Sequence, residues 1–329
     1  MIKKNFFLII VFLVAFFGFA QKKIAGLEFN NKEIKVLVVE SKPDDAAEFK
    51  LKSFWSDPIV ADPNGDRLSL IKKIIAGVNT NIQKIKLEQN VGADKIFLIS
   101  DLELFSEVEM INIQKELLIN NISKIDFLTN QKSCEYIFEG LLKKEDKDEA
   151  ALININEAQT TFCSYTKKDG FKVTVIPNSD FQKLEYLNDD SKKLEILKLN
   201  ENIKQLYYYN DEMRDKKNVY LTGQSAWASY ALFNGGTIEL EFNPVKIEDL
   251  ENHQISLDKK FDRYQVLASA NIEADKVLSY YSKYELSIGN KFLTFILKNL
   301  EANSKKKFLY CKNTNKAKLV NYLTHKLVN

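Results

Sequence analysis

Ile24–Glu40 reads IAGLEFNNKEIKVLVVE, and Ala150–Lys167 reads AALININEAQTTFCSYTK. Each is an apolar run of strand length, a polar turn and a second run of strand length, which predicts a β-hairpin. Glu28 and Asn154 hold the same place in the first strand of the two hairpins. Turns that wrap a phosphate use glycine, because glycine tolerates positive φ and lets consecutive N–H groups approach the anion. Neither turn contains a glycine. Neither turn is therefore built as an ordinary glycine-based phosphate loop.

The pattern on either side of the hairpins repeats in the same order. In the first half, Phe49–Trp55 reads as a third strand. Asp66–Glu88 has helical spacing through Leu68, Ile71, Ile74, Ile75, Val78 and Ile82. Lys95–Ser100 and Ile125–Leu128 read as strands, and Glu107–Leu118 and Lys132–Lys144 as helices. The charge run Lys143–Glu149, KKEDKDE, suggests a boundary. Gly170–Ile176 then completes a second set of three strands. Ser191–Glu212, Gln224–Leu232, most of Lys246–Lys283, Lys291–Glu301 and Lys316–Lys326 are helical in pattern, while Asn218–Leu221 and Lys307–Cys311 read as strands. The expected organisation is a leader at residues 1–20, a first mixed α/β lobe at 21–146, and a second with a helical extension at 147–329.

The 329 residues suffice for two domains, with 45% hydrophobic and 28% charged side chains. A net charge of +2 gives no field that would gather nucleic acid. The Lys143–Lys144 and Lys305–Lys307 clusters read as solvated helix ends. Glycine is scarce, at 11 residues, which argues against several intact phosphate loops. Met1–Gln21 has Lys3 and Lys4 ahead of an apolar run and Gly18-Phe19-Ala20 at its end, the layout of a secretory signal cut after Ala20. The run is short for a bilayer span. The expectation is export to a periplasmic or extracellular space, with no stable membrane span after cleavage. Cys134, Cys163 and Cys311 do not form a disulfide framework; one pair could close, and buried thiols are an equal reading.

Five motif frames, in order, resemble those of the exopolyphosphatase and guanosine pentaphosphate phosphatase (Ppx/GppA) family of the actin, Hsp70 and sugar-kinase superfamily. The likeness runs from about Ile24 to about Lys326 and rests on element order more than on identities. Gly26–Lys35 stands where that family has A-(I/V)-D-(I/V)-G-S-N-S-x-(R/K), keeping a carboxylate as Glu28 and a cation as Lys35, with Asn30 for glycine. Ile99–Phe105 replaces T-S-A-(L/V)-R-(E/D)-A and keeps Ser100 and Leu102, while Glu103 takes the basic place. Thr129–Gly140 follows S-G-x-E-E-A-R-x-I-(Y/F)-x-G, retaining Ile137, Phe138 and Gly140, with Lys132 and Ser133 in place of the paired glutamates. One of those glutamates serves the family as general base. Asn154–Thr161 replaces D-(I/V)-G-G-G-S-T-E, so Asn154 stands for the metal-linked aspartate and Asn156, Glu157 and Ala158 for the glycines. Leu221–Ser225 keeps one glycine, Gly223, of G-T-G-G-T.

The resemblance implies two RNase H-like lobes of mixed sheets flanked by helices, with a cleft between them. Side chains at Asn156, Glu157 and Ala158 would crowd a phosphate, and Asn154 offers Mg²⁺ no anionic ligand. The expected function is non-catalytic binding of a small anionic ligand or of an envelope protein. Asn30, Asn31, Lys35, Ser100, Asn154, Asn156, Thr160, Gly223, Gln224 and Ser225 are the ligand-contact candidates. The alternatives are a weak Mg²⁺-dependent polyphosphatase or nucleoside polyphosphate phosphatase using Glu28 with Glu103, Glu135 or Glu157, and a structural envelope protein. No cofactor is expected unless the chain hydrolyses, and no metal site is read.

Other patterns are bland. His253 and His325 are too few for a histidine triad, and His253 reads as exposed in a charged helical stretch. Asp62–Asp66 begins like a calcium loop, but Arg67 and Lys73 stand where glycine and glutamate are needed, so it reads as a turn and helix start. Trp55 and Trp227 read as core or cleft aromatics, and Tyr207–Tyr209 leaves at least one ring exposed.

Overall fold

The computed structural model describes residues 23–42, 45–60, 66–118, 125–156, 159–178, 189–209, 213, 215–301 and 306–328. Residues 1–20, Asp62–Gly65, Glu157 and Ala158 lie outside the described residues. No helix among those described is long and apolar enough to cross a membrane.

The chain forms two compact units, Met1–Phe127 with Leu319–Asn329, and Leu128–Lys318. The first is a sheet ordered β3-β2-β1-β4-β5, from β1 (Lys23–Phe29), β2 (Glu33–Lys42), β3 (Asp45–Pro58), β4 (Ile96–Asp101) and β5 (Ile125–Leu128). β1 lies between antiparallel β2 and parallel β4. Its successive side chains are buried on both faces of the sheet, which explains why its apolar run is continuous rather than alternating. Helix α1 (Arg67–Glu88) begins at Asp66, whose Oδ1 accepts the Ser69 N–H at 2.8 Å, and ends ahead of Asn90 in the left-handed region at φ 55°. The helix start expected at Asp66 is therefore present, and the rest of the Asp62–Asp66 reading lies outside the described residues. Ile71, Ile74, Val78, Ile82 and Ile85 are buried, one stripe at helical spacing. Helix α2 (Glu107–Leu118) contributes Ile113 and Leu117 to the same core.

The second unit repeats the plan. Its sheet, β10-β11-β9-β6-β7-β8, uses β6 (Ala150–Ile155), β7 (Gln159–Thr166), β8 (Gly170–Pro177), β9 (Asn218–Thr222), β10 (Phe242–Val245) and β11 (Lys307–Cys311). Read from β8, the order 8-7-6-9-11 matches 3-2-1-4-5, and each central strand has an antiparallel hairpin partner on one side and a parallel crossover strand on the other. This is the RNase H-like topology, present twice. Strand β10 was not expected. Pro244 argues against an interior strand, but β10 is an edge, where a missing N–H is tolerated.

Helix α3 (Asn130–Leu141) belongs to the second unit, packing on β6, β7 and β8. The division thus falls at Leu128, ahead of the 143–149 charge run. The helices α4 (Asp189–Tyr209), α5 (Gln224–Phe233), α6 (Ile247–Lys259), α7 (Asp262–Ala270), α8 (Ile272–Tyr280) and α9 (Lys283–Glu301) follow. α9 is one continuous helix and includes Glu285–Ile288. The last helix, α10 (Thr314–Val328), gives its start to the second unit and its end to the first. A Cβ on Gly140 would lie 2.4 Å from the Ala317 carbonyl oxygen, so α3 meets α10 with no room for a side chain. Beyond Leu319, α10 packs on Gly26, and its Tyr322 hydroxyl donates to Asp126 at 2.9 Å.

Two expectations of exposure fail. His253 is buried, its Nδ1 2.6 Å from the Tyr264 hydroxyl, because the α6 face that carries it also carries Leu250 and Leu257. Burial, with Arg263 adding to it, pushes its pKa down to about 3. Lys306 is also buried, and its ammonium donates to the Met213 and Lys216 carbonyls at 3.2 and 2.7 Å, so it is not a solvated helix end. The tyrosine side chains at 207–209 lie outside what is described. Trp55 is half-buried and donates to Asn81 at 2.8 Å; Trp227 donates to Glu273 at 3.2 Å.

Candidate functional site

The two hairpins carry the candidates, so the site is built one unit at a time. In the first, the turn Asn30–Glu33 closes with the Asn30 N–H donating to the Glu33 carbonyl at 3.1 Å. The Asn30 side chain then folds over the turn, and its Oδ1 accepts the N–H groups of Lys32 (2.8 Å) and Glu33 (2.9 Å). This is an Asx-type arrangement, the favoured local bond of asparagine in turns. Its consequence is chemical. The N–H groups a phosphate-binding turn would present to an anion are taken by the protein's own amide.

The charges around this hairpin are likewise engaged. Glu28 is buried on β1 and faces Lys35 on β2 by register. Lys35, also buried, pairs with Glu33 at 2.6 Å. Arg67 was not singled out from the sequence except as a residue that spoils a calcium loop. Its guanidinium donates to Asn31 Oδ1 (3.2 Å), to the Leu104 carbonyl (2.5 Å) and to Glu109 (2.8 Å), and stacks over Phe105. The Arg67 hydrogen bond holds the Glu109 carboxyl below its usual pKa. Ser100, fully buried at the end of β4, donates to the Phe29 carbonyl at 2.6 Å. Glu103 is exposed on the short 3-10 turn that follows.

In the second unit the equivalent turn closes in the same way, with the Asn156 N–H donating to the Gln159 carbonyl at 3.0 Å. Among the described residues, the side chains that bond around it are neutral. The amide of Asn178 donates to the Asn156 carbonyl and accepts the Thr160 hydroxyl at 2.8 Å. The Asn130 amide oxygen, at the start of α3, accepts from Gln159 (2.6 Å) and Thr161 (3.4 Å). Asn154, at the metal-linked place, accepts the Thr222 hydroxyl at 3.2 Å. A magnesium ion wants anionic or strongly polarised oxygens. A neutral amide oxygen already accepting a hydroxyl does not fit it. Among the described residues no three His, Cys, Asp or Glu side chains gather as a metal site.

Gly223 ends β9 at φ 90°. A Cβ there would sit 2.4 Å from the Ile155 carbonyl oxygen and 2.7 Å from Asn154 Oδ1. Glycine is kept because the hairpin backbone closes against it. The half-buried Gln224 and Ser225 then open α5, and Gly223 gives that helix no side-chain cap. Glu135 is half-buried on α3 with Lys132 at 2.6 Å and Gln131 at 3.0 Å. The same bond raises the Lys132 pKa.

The structure thus places Glu28, Asn30, Asn31, Lys35 and Ser100 about the first hairpin, and Asn154, Asn156, Thr160 and Gly223 about the second. Sequence reasoning passed over Arg67, Asn130, Asn178 and Thr222. Asn130 and Thr222 stand inside the quoted motif frames, so their position was a usable signal. Arg67 and Asn178 lie outside any frame.

No protein-family model matches the sequence, and no curated protein does. Solved structures do match the fold. An exopolyphosphatase from Cytophaga hutchinsonii superposes with a TM-score of 0.67 at 10% identity, over 93% of this chain and 98% of that one. The Aquifex aeolicus member of the Ppx/GppA family gives 0.63 at 10% identity, over 93% and 98%. An exopolyphosphatase-like protein gives 0.62 at 9% identity, over 94% and 99%. Over about 93% of its length the chain has the fold of the Ppx/GppA proteins, as the motif frames lead one to expect.

Proposed function

We propose that this protein is a non-catalytic, exported binding protein on the Ppx/GppA fold, which takes a small anionic ligand. The observation that carries this reading is the Asn30 side chain, which occupies the Lys32 and Glu33 N–H groups. Hydrolysis of a phosphoanhydride needs the phosphate chain cradled, its charge neutralised by metal and a water activated by a base. The first hairpin's N–H groups are taken, Asn154 is neutral and hydroxyl-bonded, and Lys132 and Ser133 stand where the family has paired glutamates. Loss of a general base alone costs about 10²–10⁴ in rate.

Binding needs less. The start of α5, after Gly223, keeps the strand–glycine–helix form and has no side-chain cap. Uncapped N–H groups and the helix dipole favour an anion there. Export is inferred from the Lys3-Lys4 and apolar pattern of the first 20 residues.

The test is phosphate release, with a melting curve, from purified protein given polyphosphate or a nucleoside polyphosphate with and without Mg²⁺. The expected result is no release above buffer and a rise in melting temperature with at least one anion. Phosphate release that Glu28→Gln abolishes overturns the reading in favour of a weak hydrolase. Neither release nor a shift, with an envelope protein co-purifying, overturns it in favour of a structural role.

A further inference from the structure

All three cysteines are buried, and Cys134, Cys163 and Cys311 border one apolar cluster with Ile137, Phe138 and Leu152. They are not equivalent. Cys134 on α3 and Cys163 on β7 share this cluster, on two elements that pack against each other. A hydrogen bond between the same two elements shows how they face. Asn130, in the first turn of α3, bonds Thr161 on β7. Four residues along a helix return to the same face after about 6 Å. Two residues along a strand return to the same face after about 6.7 Å. Those steps lead from Asn130 to Cys134 and from Thr161 to Cys163, so helix and strand keep pace and the second pair faces as the first does.

Cys311 is excluded as a partner of Cys163 by the sheet. It lies on β11, and β9 and β6 separate that strand from β7. Three strand spacings amount to about 14 Å, against a limit of about 7 Å between the Cα atoms of a disulfide.

We propose that Cys134 and Cys163 are a disulfide site, closed as the chain folds in an oxidising compartment, with Cys311 left as a thiol. The reaction transfers two electrons and two protons from the two thiols to a small-molecule or protein disulfide, which becomes two thiols. One Cys thiolate attacks the oxidant to give a mixed disulfide; the other then attacks the protein sulfur and expels the remaining thiol. Closure belongs to folding rather than to the finished fold. The folded thiols are 1% and 0% exposed, and burial beside Cys134 raises the Cys163 pKa, which starves the attacking thiolate. The bond would join α3 to β7 and enclose residues 134–163, which include β6 and the turn bearing Asn154, Asn156 and Thr160. It would brace the second hairpin, which has hydrogen bonds where the first has ion pairs. The inference does not depend on which ligand the protein takes.

The test is refolding of the fully reduced, unfolded chain in a glutathione and glutathione-disulfide buffer, followed by alkylation under denaturing conditions and peptide mapping. The expected result is loss of two of three thiols, a Cys134–Cys163 linked peptide, the same bond in Cys311→Ser, and no internal bond in Cys134→Ser. The oxidised protein melts higher than its reduced form. Three free thiols in the refolded wild-type chain, or a mapped bond to Cys311, overturns the proposal. The wild-type map decides the matter if a variant fails to fold. Added to folded reduced protein, the same buffer should close the bond far more slowly; an equal rate would overturn the claim that closure accompanies folding.

Discussion

The two hairpins close with the same backbone bond and differ in how their described polar groups are used. Asn30 and Glu33 close the first turn at 3.1 Å, and Asn156 and Gln159 close the second at 3.0 Å. Around the first, charge is retained and neutralised within the unit, through Glu33 with Lys35 and Arg67 with Glu109. Around the second, a web of amides and hydroxyls takes the place of charge. A topology needs strands, a turn and an apolar core; it does not need the groups that handle phosphate. The two units can therefore share a topology while differing in these groups.

The widest contrast lies between Gly223 and Ser100, which occupy equivalent places, because Glu28 pairs with Ile99 and Asn154 with Thr222 in the parallel registers. Gly223→Ala should destabilise by roughly 2–6 kcal/mol, from overlap with the Ile155 carbonyl and from positive φ. Urea unfolding measures this; a loss under about 1 kcal/mol would mean the second hairpin yields easily.

Acid should separate the units next. His253 is buried in the second unit, and His325 is exposed on α10 in the first. Below pH 6.5 the unfolded chain gains a proton at residue 253 that the folded chain does not. Stability from this group is therefore complete above pH 6.5 and falls as pH drops toward 3, by up to about 1.4 kcal/mol per pH unit. Trp55 reports the first unit and Trp227 the second, so Trp55→Phe and Trp227→Phe proteins follow each separately. Between pH 7 and 5 the Trp227 signal should lose more urea resistance; equal losses would place the acid sensitivity elsewhere.

The turns themselves give a smaller contrast. Asn30→Ala frees two N–H groups and should cost about 1–2 kcal/mol. Asn156→Ala, whose backbone makes the turn bonds, should stay within about 0.5 kcal/mol. Asn30→Gly with a gain in polyphosphate affinity, read by calorimetry, would sharpen the view that the amide fills an anion's place. Ser100→Ala removes one bond to Phe29 and should fall between the two alanine variants, at about 0.5–1.5 kcal/mol.

Much of the fold is legible in the chain because apolar periodicity is local. Glu107–Leu118, Ile125–Leu128 and Ala150–Ile155 run between the residues their patterns suggest. Errors gather where neighbours in space decide. Phe242–Val245 is a strand because β11 offers an edge, and His253 is buried because α6 packs with Leu250 and Leu257 inward. In the site, the absence of glycine from both turns and the amide at Asn154 are plain in the letters. What the turn residues bond to is not, since Arg67 reaches Asn31 across 36 positions and Thr222 reaches Asn154 across 68.

The sequence by itself determined that two hairpin-led halves exist and that their turns lack the residue a phosphate requires. Only tertiary structure decided that Asn30 fills its own turn, that His253 and Lys306 are buried, and that Cys134 meets Cys163. The reason is physical. Secondary structure follows from side chains a few positions apart, whereas burial and partnership depend on which distant segments the core draws together.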